Sequence, residues 1–363
     1  MVALVNKHGV CIEAANAYGI RGAFATNLEV IEAHAKCAHT IMEQSKDRYA
    51  KAATTVYIFC LFSFTRDIRW VQKNLFENYH YGLRVGDIQM AMYSYMMGLY
   101  YELVNGRSLV AVTEETRETI AQIKVMNRAS QLDLLAVLFQ SMLNMKGESE
   151  DPLVLKGEAM DETALDPASM TTWNDALIVG YKGLLNAYCG NHQANAEEIL
   201  EKMPYVIKEI GGDGIVMWLD IYVAVSCLHV ARSRGKRSPK YRKHGQNISK
   251  KVKRWIAQGC PNLLHLDYLL NAELAVLKGD FKKAVKSYKT SIKIGEKMGR
   301  VNDAGLASER LGEYLLEKKD GAGARKALLN SIEFYKLWAS DYKVESVRSK
   351  HEEVLRPVSV FQQ

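Results

Sequence analysis

His34, Cys37 and His39 form the closest cluster of metal-ligating side chains in the sequence. His34 and Cys37, three apart, share one face of a helix, while His39 points elsewhere. A helical zinc pair needs a spacing of three or four and further ligands from another segment. The spacing therefore predicts packing residues and no metal centre. The carboxylate pairs Glu114 with Glu115, Glu197 with Glu198 and Glu352 with Glu353 are adjacent, so on a helix they splay by about 100°. They read as solvated faces and not as acid–base pairs. Gly211-Gly212-Asp213-Gly214 resembles a phosphate loop only in its glycines; no Lys-Ser or Lys-Thr follows, and the apolar Ile215 to Leu219 does. Tyrosines and methionines crowd Met90 to Tyr101, where two readings stay open: core packing and an adaptable ligand pocket.

The distinctive surface feature is basic. Eleven Lys or Arg and no acid fall between 231 and 254; without them the formal net charge of +7 would turn negative. Arg232, Arg234, Lys236, Arg237, Lys240, Arg242 and Lys243 surround Pro239, and Lys250, Lys251, Lys253 and Arg254 follow. Three readings compete: a solvated loop, an anion-binding or nuclear-import segment, and a nucleic-acid site, the last without an aromatic platform. Clustered like charges with Gly235, Pro239 and Gly245 predict a loop over 232–247. Ser238, between Arg237 and Pro239, is a candidate phosphorylation site whose added charge would weaken electrostatic attachment.

The elements that must carry these residues are helices. The chain has 363 residues, 48% hydrophobic and 25% charged, and only 6 prolines. Val71, Leu75, Tyr79 and Leu83 recur every four residues before Gly86-Asp87 stops one helix and caps the next. Similar breaks recur along the chain, between helical segments of about 15 to 20 residues, and no alternating strand pattern intervenes. Six scattered cysteines without a Cys-x-x-Cys pair fit reduced thiols. No signal-peptide pattern is legible after Met1, and Ile215 to Val230, the longest apolar run, carries Asp220 near its middle. Helical sequence begins almost at Met1, as in a piece of a longer architecture. Residues 147–170 are acidic, hold Asp151-Pro152 and Asp166-Pro167, and read as a linker or hinge between N-terminal helical repeats over 1–146 and C-terminal repeats over 171–355.

The C-terminal third repeats. Leu266, Leu269, Leu270, Leu274 and Leu277 line one helix, with small Ala272 and Ala275; after Gly279-Asp280, Ala284, Tyr288 and Ser291 line the next. About 40 residues on, Gly312, Ala324, Leu328 and Ser331 reuse these positions, close to the period of tetratricopeptide hairpins, about 34 residues. Trp255, Pro261-Asn262, His265, Leu269, Ala272-Glu273, Ala275, Gly279, Ala284, Tyr288, Ile292, Gly299, Ala307, Glu309, Tyr314, Tyr335, Trp338 and Lys343-Val344 complete a pattern over Val252 to Val344. Upstream, Trp70, Tyr79, Gly82-Leu83 and Gly86-Asp87 extend it. This pattern resembles the tetratricopeptide-like repeat region of large signalling ATPases, in which a P-loop ATPase core precedes the repeats and kinase or cyclase modules lie elsewhere in the chain. No Walker, kinase or nucleophile-elbow motif accompanies it.

The expectation is an all-α chain, an α-solenoid of tetratricopeptide-like hairpins with an extended concave face. It implies a non-catalytic protein–protein interaction scaffold in a signalling assembly. The alternative is the repeat region of a signalling ATPase or kinase, detached from its catalytic modules. No cofactor is expected. The partners are proteins, with an anionic partner at the basic segment; neither a membrane span nor specific nucleic-acid binding is expected. The cytoplasm is the expected location, with the nucleus as an alternative through 232–254.

Overall fold

The computed structural model describes residues 11–23, 25, 27–125, 133–166, 170–235 and 238–356. Within them the fold is all-helical, with no strand. The helices are α1 (Ile12–Ala23), α2 (Leu28–Gln44), α3 (Arg48–Phe62), α4 (Ile68–Val85), α5 (Ile88–Leu99), the single turn α6 (Glu102–Asn105), α7 (Leu109–Val125) and α8 (Asp133–Lys146). After a non-helical stretch come α9 (Thr172–Cys189), α10 (His192–Ala194), a π turn (Asn195–Ile199) and α11 (Leu200–Ile210). The remainder is α12 (Ile215–Arg234), α13 (Pro239–Ala257), α14 (Leu264–Leu277), α15 (Phe281–Lys297), α16 (Val301–Glu317), α17 (Gly321–Trp338), α18 (Asp341–Lys350) and α19 (Glu352–Leu355). Aspartates 47, 67, 87, 280 and 320 sit at N-caps with side chains accepting first-turn amides. Gly86, Gly106 and Gly190 close helices in the left-handed conformation.

Helix α12 lies in the middle of the packing. It is the one described helix long and apolar enough to cross a membrane, yet 89% of that window is buried inside the protein, as befits a core helix. Every residue from Ile215 to Leu228 is buried, Asp220 included. Asp220 faces α13, where His244 Nε2 lies 3.3 Å away and Lys251 Nζ 3.7 Å away.

Helices distant in sequence meet around α12. Asn262 donates to the carbonyls of Ser63 and Arg66 and accepts from Ile68 N. Arg300 and Asn302 donate to the carbonyls of Asn105 and Leu103. Ser340 donates to Met145 O. Asp303, on α16, receives Tyr188 Oη from α9 (2.9 Å), Tyr222 Oη from α12 (2.8 Å) and His265 Nε2 from α14 (2.7 Å). Gly106 marks a close backbone approach: its φ is +75°, and a Cβ there would stand 2.6 Å from Gly299 O and 2.7 Å from Val301 N. In an open solenoid each repeat touches only its neighbours. These bonds join helices that are not neighbours in the sequence.

Two segments of irregular reading have definite structures. Residues 147–166 hold no helix beyond a 3₁₀ turn at Glu162–Ala164, and they are pinned to α8. Asn144 donates to Pro152 O and Val154 O, Gln140 Oε1 accepts from Ala159 N, and Leu155 is fully buried. The expected loop over 232–247 is corrected by the structure. Arg232 and Arg234 end α12, and α13 runs from Pro239 through 247 without a break. Proline starts a helix well, because the first turn needs no amide donor there. Gly245 is buried against α12, where an added Cβ would meet Leu228 Cγ at 2.4 Å. Charge repulsion on the outer face of α13 is screened by water, whereas burial of Ile248, Val252 and Trp255 contributes about 1.5–3 kcal/mol each. Burial wins.

Gly245→Val is therefore expected to overpack the α12–α13 crossing and cost about 1–3 kcal/mol in urea unfolding. A loop would tolerate it, and an unchanged midpoint would contradict the packed helix.

Candidate partner-binding face

The basic residues divide into two sets once α13 is a helix. Most of those nearest α12 and α11 are already paired. Arg232 bonds Glu317 and lies over the Tyr314 ring (5.5 Å). Arg234 bonds Glu197 and lies over Tyr241, Lys240 bonds Glu201 at 2.7 Å, and Lys251 covers Trp255 at 4.8 Å while facing Asp220. The Arg242 Nε is buried without a hydrogen-bond partner. Ser238 is buried and donates to Gly235 O at 3.1 Å, so a kinase would not reach its hydroxyl without opening the turn. Lys236 and Arg237 lie outside the described residues.

The second set faces water. Lys243, Lys250, Lys253 and Arg254 are exposed on α13 and make no ion pair among the described residues. Helix α14 packs against both α13 and α15. On α15, Lys282, Lys283, Lys286, Lys289, Lys293 and Lys297 are likewise exposed and unpaired among the described residues. Sequence reasoning missed this second basic face because it followed only the apolar positions of α15. The signal was present, since lysines fill the polar positions between Ala284, Tyr288 and Ser291.

The other sequence candidates serve packing. His34 Nδ1 lies 2.8 Å from Val30 O, His39 packs edge-on to Phe59 and Phe62, and Cys37 is exposed. No group of three His, Cys, Asp or Glu among the described residues could hold a metal. In the glycine-rich turn, Asp213 is buried, receives Tyr101 Oη at 2.5 Å and caps Ile215 N; burial raises its carboxyl to about 6. Gly214 N donates to Ser63 Oγ, so the turn is a joint between α12 and the end of α3.

A buried polar cluster escaped sequence reasoning altogether. Arg310 on α16 donates through Nε and Nη2 to both oxygens of Glu273 on α14, which also accepts from Tyr288 Oη. Arg310 further reaches His192 Nε2 (3.3 Å), His229 Nδ1 (2.7 Å) and Glu313 (3.2 Å). Since a guanidinium only donates, the facing nitrogens of both histidines accept. His192 Nδ1 then donates to Ser226 Oγ at 3.0 Å. Asn195 also bonds Ser226 Oγ and Gly183 O, which fixes the π turn against α9 and α12. Chemically the cluster is a clamp: each histidine nitrogen facing inward is already occupied. Burial, then the Arg310 charge, hold His192 well below its ordinary 6.5 and lower His229 to about 4.

The sign follows. The unfolded chain binds these protons near pH 6.5, the folded chain only nearer 4 for His229, so stability is complete above the first value and falls as pH drops between them. Urea unfolding should show the parent losing about 2 kcal/mol more than His229→Gln between about pH 7 and about pH 5. Equal losses would contradict the buried neutral imidazole. No family model matches the chain, and no curated protein is similar to it.

Proposed function

We propose that this chain is a non-catalytic helical scaffold, built in its last third from tetratricopeptide-like hairpins, that docks an acidic segment of a partner protein on α13 and α15. The hairpin reading is supported by the antiparallel pairs α14–α15 and α16–α17, which pack through small buried residues. Ala272, Ala284 and Ala324 are fully buried, and a Cβ on Gly312 would meet Leu328 Cγ at 2.7 Å. The observation that carries the docking reading is the set of exposed cations on α13 and α15 that are unpaired among the described residues, while Arg232, Arg234, Lys240 and Lys251 nearby each face a carboxylate. Lysines spread along helix faces, with Phe281 at the start of α15 as the one exposed aromatic ring on the described residues of these two helices, suit acidic side chains better than bases, which need stacking or groove contacts. The resemblance to the repeat regions of signalling ATPases supplies the context: such a scaffold would work beside catalytic modules carried elsewhere.

Fluorescence anisotropy with an oligoglutamate peptide tests the reading. The full chain should bind it with an affinity that falls steeply as salt rises. Substituting Lys250, Lys253, Lys286, Lys289 and Lys293 by Gln should weaken binding at least about tenfold and leave the melting temperature unchanged, because these side chains are exposed. Binding of oligouridylate in place of oligoglutamate, or equal binding by the variant, would overturn it.

A further inference from the structure

A cleft of about 320 Å³ opens between α4, α5, α6 and α7, far from the basic faces in sequence. Phe76, Tyr79 and Tyr95 form an aromatic wall, the Tyr95 ring lying 5.5 Å from Phe76 and 5.1 Å from Tyr79. Phe76 reaches this position because position 98 is glycine; a Cβ there would meet its ring at 2.5 Å. The opposite side carries Glu102, Glu115 and Glu118, with Arg107 and His80 as the basic residues of the lining.

Two polar atoms in this lining are buried and lack hydrogen-bond partners. Glu102 is only 1% exposed; its Oε1 accepts from Arg107 at 3.2 Å, while Oε2 receives nothing. Tyr79 Oη is also unpartnered. The neighbouring amides are already engaged with one another and with the backbone: Gln72 Nε2 donates to Gly98 O, and Asn105 Nδ2 donates to Gln72 Oε1. Arg107 is divided between Glu102 and Glu115. An unsatisfied buried acceptor costs about 1–3 kcal/mol, more when charged, so a donor brought by a ligand would relieve that cost. Aromatic faces attract cations, and carboxylates outnumber basic groups around the lining. An anion would face Glu102, Glu115 and Glu118, and a neutral alcohol would leave the charge uncompensated.

We propose that this cleft binds a primary alkylammonium group, whose nitrogen donates to Glu102 Oε2 while its carbon chain lies along Phe76, Tyr79 and Tyr95. The same chemistry is presented by a free diamine and by a lysine side chain of a partner. The site is independent of the basic docking faces, which take the opposite charge. Burial raises the Glu102 carboxyl to about 7, opposed by Arg107 and Gln72 and reinforced by Glu115. The ionised form is the one that holds a cation, so affinity should rise as pH increases through that value.

Calorimetric titration of the full chain with putrescine and with Nα-acetyl-lysine methylamide tests this, with n-butanol and glutarate as neutral and anionic controls. Saturable binding of at least one amine, strengthening from about pH 6 to about pH 8, is expected. Tighter binding of putrescine assigns the site to a free diamine, and tighter binding of the lysine derivative to a partner's side chain. Glu102→Gln should weaken binding at least about tenfold and melt no lower than the parent, since it removes a buried charge. Tyr79→Phe, which removes the second orphan atom and keeps the ring, should bind more weakly by a smaller factor. Absence of saturation with both amines, equal binding of n-butanol or glutarate, or unchanged affinity in both variants would overturn the proposal.

Discussion

The carboxylate of Asp303 takes hydrogen bonds from Tyr188, Tyr222 and His265, and so joins α16 to α9, α12 and α14 at one buried point. Each donor would otherwise be stranded in an apolar core, at a cost of about 1–3 kcal/mol. The hub also fixes its neighbours. Asn302, one residue back, donates to both Tyr188 Oη and Leu103 O, and Arg300 reaches Asn105 O. One turn of α16 thereby ties the first half of the chain to the last third. Helix α12 is enclosed because the segments on either side are held together through this turn, and the near-contact at Gly106 follows from the same closure.

This closure sorts the charges. Two buried cations are matched by carboxylates, Arg310 by Glu273 and Glu313 and Lys343 by Glu309 at 2.9 Å, whereas buried Arg300 bonds a backbone carbonyl. Such pairs add specificity more than net stability, since each ion gives up its hydration. Lys243, Lys250, Lys253 and Arg254 on α13 and the exposed lysines of α15 have no such match among the described residues, and the proposed docking uses them. The cleft around Glu102 has the complementary imbalance: a carboxylate oxygen is enclosed before any donor reaches it.

Helices, caps and stops were legible because they are local: Asp87 and Asp280 cap first turns, and Gly86 and Gly190 take the left-handed conformation. The small residues of the C-terminal hairpins were legible for the same reason. The basic helix was misread because Pro239 and Gly245 look like breakers in isolation. Only the tertiary structure reveals that Pro239 begins a helix and that Gly245 makes room for Leu228. The clamp around Arg310 draws on residues from 192 to 313, and the Asp303 hub on residues from 188 to 303; no spacing rule connects them before the chain closes. Met90 to Tyr101 left open a core reading and a pocket reading, and its residues serve both: Met96 is buried in the core, while Tyr95 and Leu99 line the cleft.

The central claim is that closure through Asp303 makes distant helices one body. Hydrogen exchange of Asp303→Asn, read peptide by peptide, tests it most directly. The variant keeps the side-chain shape but replaces an acceptor oxygen with a donor, facing groups that also donate. The account expects faster exchange in α6, α9, α12, α14 and α16 together, as one cooperative unit. Faster exchange confined to α16, with α6 and α9 as protected as in the parent, would contradict it.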